Sequence, residues 1–247
     1  MLRHVVDDLY QIGESLPGAN GWHEAVRVYV LLNDGNPLIF DSGSHLHAGQ
    51  IMSRLQELLG DAEPKYVFLT HTELPHTGNI SAITQAWPEV RLVVSSGILP
   101  HVELPWWVTE DQVRFAYAGS TERYVGREIA FLDGILKDQP GTHWMFDDRT
   151  GTLFTADAFG YFFPAEADPT FDDELEDGVP LDWIRQYHAS AFRFLPLVSG
   201  AKVSEDFARL FARRNVGVLA PTHGNAVRRD VPRFVGKFHN AIHEICQ

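Results

Sequence analysis

The sequence predicts an α/β (α+β) fold in which two mostly antiparallel sheets pack face to face and helices cover both outer faces, a four-layer αββα sandwich. Three observations predict it. The chain opens on strand-like segments, its middle alternates helix and strand, and its second half returns to strands before ending in helices. No repeat, low-complexity tract or long linker interrupts the chain, so residues 1–247 are expected to form one domain.

Residues 9–13 and 26–32 read as strands, the second with partial alternation, and the turn Asn33-Asp34-Gly35-Asn36 leads into a strand over 38–41. Ile51, Leu55, Leu58 and Leu59 recur at helical spacing over 47–59, with Gly60 as the stop. A strand over 66–70, a short polar turn, a helix over 79–87 and a strand over 90–95 follow. Strands resume over 113–118, 128–132, 143–146 and 153–156, the last pair joined by a turn at 147–151. Helices over 181–197 and 204–214, a strand over 216–220 and a C-terminal helix complete the pattern.

The chain is 45% hydrophobic, ample for a buried core, and its 33 acidic against 20 basic residues give a net charge of -13. That balance repels phosphate backbones and anionic lipid surfaces, so neither nucleic acid nor membrane is an expected partner. Asp7 and Asp8 stand where a signal peptide needs an apolar segment, and a cytoplasmic protein is expected. With Cys246 as the sole cysteine, no intrachain disulfide or multi-thiolate metal site can form, and any metal must be held by nitrogen and oxygen.

Four apolar strand segments deliver polar side chains at or beside one end. They are Leu69-Thr70-His71, with Glu73 and His76 following; Gly141-Thr142-His143-Trp144; Phe154-Thr155-Ala156-Asp157; and Ala220-Pro221-Thr222-His223-Gly224. Strand ends hold donors on rigid backbone, and buried carboxylates such as Glu73 and Asp157 would be costly without a cation. Neutral imidazoles and ionised carboxylates suit a transition ion, whereas ordinary strand-end hydrogen bonding is the plainer alternative.

On these residues the sequence resembles the metallo-β-lactamase superfamily, whose signature is His-x-His-x-Asp-His followed by further His, Asp and His ligands. Glu73 in place of the second histidine, the phrase Leu153-Phe154-Thr155-Ala156-Asp157-Ala158-Phe159-Gly160, His143-Trp144 and Thr222-His223-Gly224 make it similar to the diiron branch, the flavodiiron proteins and stand-alone oxygen-binding diiron proteins. The resemblance implies a metallo-β-lactamase sandwich with two iron ions. His71, Glu73 and His143 would bind one, His76 and His223 the other, and Asp157 would bridge. It also places Asp41 beneath the site, fixing a ligand or loop. The aromatic segment after Asp157 is expected either to wall a dry pocket, through Phe159, Tyr161 and Phe163, or to pack in the core.

The departure is Pro75, which stands where the family carries a ligand aspartate. The second ion then lacks a terminal carboxylate, so one ion rather than two, or zinc or manganese in place of iron, are the alternatives. The resemblance implies binding, sensing or reduction of dioxygen or nitric oxide. The chain ends about two dozen residues after His223, so no flavodoxin-like domain is expected and electrons would come from a separate donor protein. A homodimer is expected by the same likeness. A zinc hydrolase acting on a thioester, lactone or phosphodiester is the competing class, and an interaction module with one ion the third. Ser42 with His45 has no nucleophile-elbow context, and His239 and His243 lack a zincin glutamate. His23 and His188 are weaker pocket candidates, Trp106-Trp107 suggests an exposed patch or dimer contact, and 171–177 reads as an acidic lid or solvated loop.

Overall fold

A computed structural model describes residues 1–97, 101–164 and 170–247. Thirteen strands run in chain order: β1 (Leu2–Val6), β2 (Leu9–Pro17), β3 (Trp22–Leu31), β4 (Leu38–Phe40), β5 (Tyr66–Phe68), β6 (Arg91–Ser95), β7 (Val113–Ala116), β8 (Thr121–Tyr124), β9 (Arg127–Asp133), β10 (His143–Asp147), β11 (Thr152–Phe154), β12 (Phe162–Pro164) and β13 (Val218–Ala220). The helices are α1 (Ala48–Leu59), α2 (Leu74–Thr77), α3 (Ile80–Ala86), α4 (Leu181–Ala191), α5 (Gly200–Arg213) and α6 (Val231–Ile245).

One sheet follows the order β1-β2-β3-β4-β5-β6-β7 with β12 also paired to β3, and the other β13-β11-β10-β9-β8. The first is antiparallel as far as β4 and parallel from β4 to β7. In the second only β11 and β13 are parallel. Strands β1, β8 and β12 carry too short or too mixed a pattern to stand out in the sequence. The expected helix over 181–197 divides: α4 ends at Ala191 and a separate 3-10 turn covers Leu195–Leu197.

Apolar residues fall into three layers. Tyr29, Phe40, Phe68, Phe131 and Phe154 fill the space between the sheets, where the Phe40 and Phe154 rings stack at 3.8 Å. Val28, Val30, Val67 and Leu92 meet Ile51, Leu55 and Leu59 of α1 and Ile80 and Ile83 of α3. Trp144, Phe146 and Phe159 meet Phe207, Phe234 and Phe238 of α5 and α6. Alternation along β3 therefore sorts Tyr29 inward and Val28 and Val30 outward, because successive side chains leave a strand on opposite faces. Each such fully buried side chain contributes roughly 1.5–3 kcal/mol. Helix α1 stops at Gly60, whose φ of +56° is one that other residues rarely adopt. Among the described residues, no helix is long and apolar enough to cross a membrane.

Candidate metal centre

Topology gathers the polar strand ends. The carboxyl ends of the parallel neighbours β4 and β5 lie side by side, as do those of β11 and β13. Strand β10 runs antiparallel to β11, so its first residue, His143, sits beside the end of β11. The His143 amide donates to the Thr70 carbonyl at 3.0 Å, joining the rims of the two sheets. After β5 the chain forms α2, a single turn with Pro75 near its start, where a missing N–H costs nothing.

Asp157 is the focus. Its Oδ1 lies 3.0 Å from His76 Nε2, 3.5 Å from His223 Nε2 and 3.8 Å from His71 Nε2. Donors held by one ion at about 2.1 Å lie roughly 3.0–4.2 Å apart as the angle between them opens from 90° to 180°. All three separations fall inside that range. His76 Nε2 and Asp157 Oδ1 are buried and pair with each other at 3.0 Å, while His71 Nε2, also buried, has no hydrogen-bond partner among the described residues. Two donor groups emerge, each with its ligand atoms within 4.8 Å of one another: His71, His76 and Asp157, and His71, Glu73, Asp138 and Asp157. The two groups share His71 and Asp157, and this donor chemistry fits a metal cation.

Charge is distributed to match. Burial works against a proton on His76, yet Asp41 and Asp157 outweigh it and push its pKa up to about 10. Burial, reinforced by His76, drops His71 to about 3, so that ring is neutral. Burial would raise Asp157, but His71, His223 and His76 hold it well below the usual carboxylate range. Burial, with the charges of Asp157 and Glu73, lifts Asp138 to about 7. Burial works against a proton on His223 as well, yet Asp157 and Glu24 raise its pKa, so positive charge gathers on His76 and His223 beside Asp157, as a cation would.

Asp41 lies directly beneath, with a left-handed φ of +59° that aspartate tolerates better than most residues. Its carboxylate accepts from Thr70 N at 2.8 Å and from the hydroxyls of Thr70 and Thr222 at 2.9 Å, and lies 2.7 Å from His76 Nδ1. It thereby fixes the face that His76 turns to Asp157. Ser42 Oγ donates to His76 O and accepts from Asn79 N, so it stitches the loop and carries no nucleophile geometry.

Three participants have no sequence motif. Glu24 on β3 pairs with His223 Nδ1 at 2.7 Å, orienting it as Asp41 orients His76. Asp138 Oδ2 reaches to 3.8 Å from His71 Nε2. The Tyr187 ring stacks on His223 at 5.7 Å, an approach open because a Cβ at position 160 would lie 2.6 Å from Tyr187 Cε1. Of these only Glu24, a carboxylate at the edge of the buried stretch of β3, leaves any signal in the sequence pattern.

Among the described residues neither His143 nor His223 joins a donor group, although His223 Nε2 still lies 3.5 Å from Asp157 Oδ1. Burial lowers the His143 pKa, and the charges acting on that ring are Asp133 and Lys137 rather than Asp157. Phe159 packs on Phe238 at 4.3 Å, Phe163 belongs to the same outer cluster, and the Tyr161 hydroxyl accepts from Asn225 N at 3.1 Å. These three serve core packing, and Tyr187 is the aromatic ring that meets a candidate ligand. His188 is a satisfied core group: Nδ1 contacts Ile184 O at 2.8 Å, Nε2 accepts from Phe159 N, and burial lowers its pKa to about 4. His23 lies against Phe163, and the exposed His243 forms no donor group with His239. The acidic segment at 171–177 is an ion-paired clasp: Asp172 binds Arg233 and caps Val179 N, while Phe171 is held between Arg3 and Arg228. Trp106 is 90% exposed, whereas Trp107 donates to Thr84 Oγ1.

The family model described as ODP family beta lactamase matches residues 25–224. Coenzyme F420H(2) oxidase of Methanocaldococcus jannaschii is 22% identical over 206 residues, 80% of this chain and 49% of the relative. Nitric oxide reductase of Moorella thermoacetica is 19% identical over 211 residues, 85% of this chain and 51% of the relative. A mutant flavo di-iron protein of Thermotoga maritima superposes with a TM-score of 0.81 at 17% identity, covering 98% of this chain and 61% of that one. The chain spans about half the length of the curated relatives it matches, and the superposition establishes the four-layer fold.

Proposed function

Because the chain belongs to the ODP family of beta-lactamases, within the metallo-β-lactamase superfamily, we propose that its strand-end cluster holds a non-haem diiron centre that binds dioxygen or nitric oxide. One observation carries the reading: a buried carboxylate oxygen, Asp157 Oδ1, has three imidazole nitrogens within 3.8 Å. His71 and Glu73 would hold one ion, His76 and His223 the other, with Asp157 between them. When bound, ferrous ions supply electrons and open coordination positions to a diatomic gas.

The protein's own groups set the conditions. Asp41 and Glu24 orient His76 and His223 through their Nδ1 atoms, leaving Nε2 of each directed toward Asp157. His71 stays neutral and able to donate its lone pair. Tyr187, stacked on His223, excludes water from that side. Pro75 leaves the second ion without a terminal carboxylate, which suits an open position for a gas and deprives a hydrolase of the group that would orient its water. The relatives, an oxidase and a reductase, likewise do not favour hydrolysis.

Gas binding requires the centre alone, and turnover adds an electron donor, for which a partner protein is the proposed source. A homodimer and a cytoplasmic location, where reducing conditions sustain ferrous iron, belong to the same proposal. Anaerobic reconstitution with ferrous iron, followed by metal analysis and visible spectra on exposure to each gas, tests it. About two irons per chain and a new charge-transfer band are expected; stoichiometric zinc with esterase turnover would overturn it.

A further inference from the structure

We propose that Asp138, rather than His143, completes the ligand set of the ion held by His71 and Glu73, so that a carboxylate missing at Pro75 is regained on the other side of the centre. The inference rests on the diiron reading above. Four ligand atoms, one each from His71, Glu73, Asp138 and Asp157, lie within 4.8 Å of one another. Asp138 Oδ2 stands 3.8 Å from His71 Nε2. His71 is fully buried, and neither of its ring nitrogens has a hydrogen-bond partner among the described residues. Asp138 Oδ1 is likewise buried and unpartnered.

The loop that carries Asp138, between β9 and β10, is anchored at both ends. Leu136, 2% exposed, roots it in the outer core. Gln139 donates to Glu73 Oε1 at 3.0 Å, tying the loop to a neighbouring ligand, and Thr142 Oγ1 donates to Gln139 O. Ser95 Oγ binds the Gly141 carbonyl at 2.8 Å. His143 also has its Nδ1 buried without a partner, but it belongs to no donor group among the described residues.

Charge supports the exchange. The family pattern places carboxylates at the positions of Glu73, Pro75 and Asp157; here Glu73, Asp138 and Asp157 restore the count of three against two divalent ions. The two positions then differ in kind. One has three carboxylates and a single imidazole, the other two imidazoles and the shared Asp157. Replacing an imidazole by a carboxylate favours the harder ions, so the first position should take manganese or iron in preference to zinc.

Metal-free full-length protein is titrated anaerobically with ferrous iron and with manganese, and bound metal is measured per chain. Wild type is expected to take up two ions, Asp138→Ala one under the same conditions, and His143→Ala two with affinity within threefold of wild type. Asp138→Asn, which keeps the shape, should weaken the first position at least tenfold while melting like wild type. Pulsed EPR of the wild-type mixed-valence centre should count three coordinated imidazoles. Four imidazoles, or full uptake by Asp138→Ala with loss in His143→Ala, overturns the assignment of Asp138 and leaves the diiron reading standing. Wild type that takes up no ion overturns both.

Discussion

Replacing Asp41 by Asn tests whether the group beneath His76 sets the centre's affinity. Asp41 is 2% exposed, and its two oxygens meet Thr70 N, the Thr70 and Thr222 hydroxyls and His76 Nδ1, all at 2.7–2.9 Å. Asparagine keeps the volume and tolerates the left-handed backbone, so the change isolates charge and acceptor capacity. The amide nitrogen cannot accept, and the contact to His76 ceases to be charge-assisted. A hydrogen bond to a charged group is worth about 1.5–3 kcal/mol. For a chain of this length each 1 kcal/mol shifts Tm by about 2–4 °C, so metal-free protein should melt roughly 3–12 °C lower. Loss of the partner that orients a ligand histidine typically weakens metal binding about 10–100-fold. Differential scanning calorimetry of the metal-free protein and competition against a chromophoric chelator read the two effects. A Tm within 1 °C of wild type together with affinity within threefold would refute the orienting role of Asp41.

Pro75→Asp should restore a terminal carboxylate beside His76 and tighten the second ion on the order of tenfold, because an added oxygen donor suits iron; unchanged affinity in chelator competition would show that another group already completes that shell. Metal uptake should strengthen with pH, since an ion replaces the proton that His76 holds with a pKa of about 10. At least roughly tenfold per pH unit is expected below that value, with at least one proton released per ion, since the His223 pKa is raised as well, and calorimetry in buffers of different ionisation enthalpy measures it. Asp147→Asn breaks the buried bidentate pair with Arg127, at 2.7 and 2.8 Å. Asp8 still contacts Arg127, so the cost should lie near the low end for such pairs, about 3 kcal/mol, seen as a melting loss of roughly 6–12 °C at neutral pH. Burial would raise the Asp147 carboxyl, but Arg127 and Thr150 hold it below its ordinary value. Its stabilisation is therefore present above the usual carboxylate range and lost as pH falls through the folded value, so the melting gap between wild type and variant should narrow below about pH 4; a constant gap would refute the linkage.

The amino-acid order by itself determined the layering and most of the strand-end donors. Alternation along β3, the helical spacing of Ile51, Leu55 and Leu59, and polar groups at or beside the ends of β5, β10, β11 and β13 are local patterns, and local geometry turns them into faces and rims. His71, Asp157 and His223 each stand three residues past an apolar strand, and His76 lies in the single-turn helix that follows the first of these strands, which is why the sequence pointed to them. Tertiary structure alone decided which side chains meet. Asp138 lies in a loop without a motif, Glu24 within a strand and Tyr187 on a helix, and each reaches the centre only because separate elements pack there. His143, expected from the resemblance among the ligands, joins no donor group among the described residues, since a strand position fixes where a backbone lies without fixing where a ring points. A donor set is defined by distances of a few ångströms between residues far apart in the chain, and those distances exist only once both sheets have closed on their shared core.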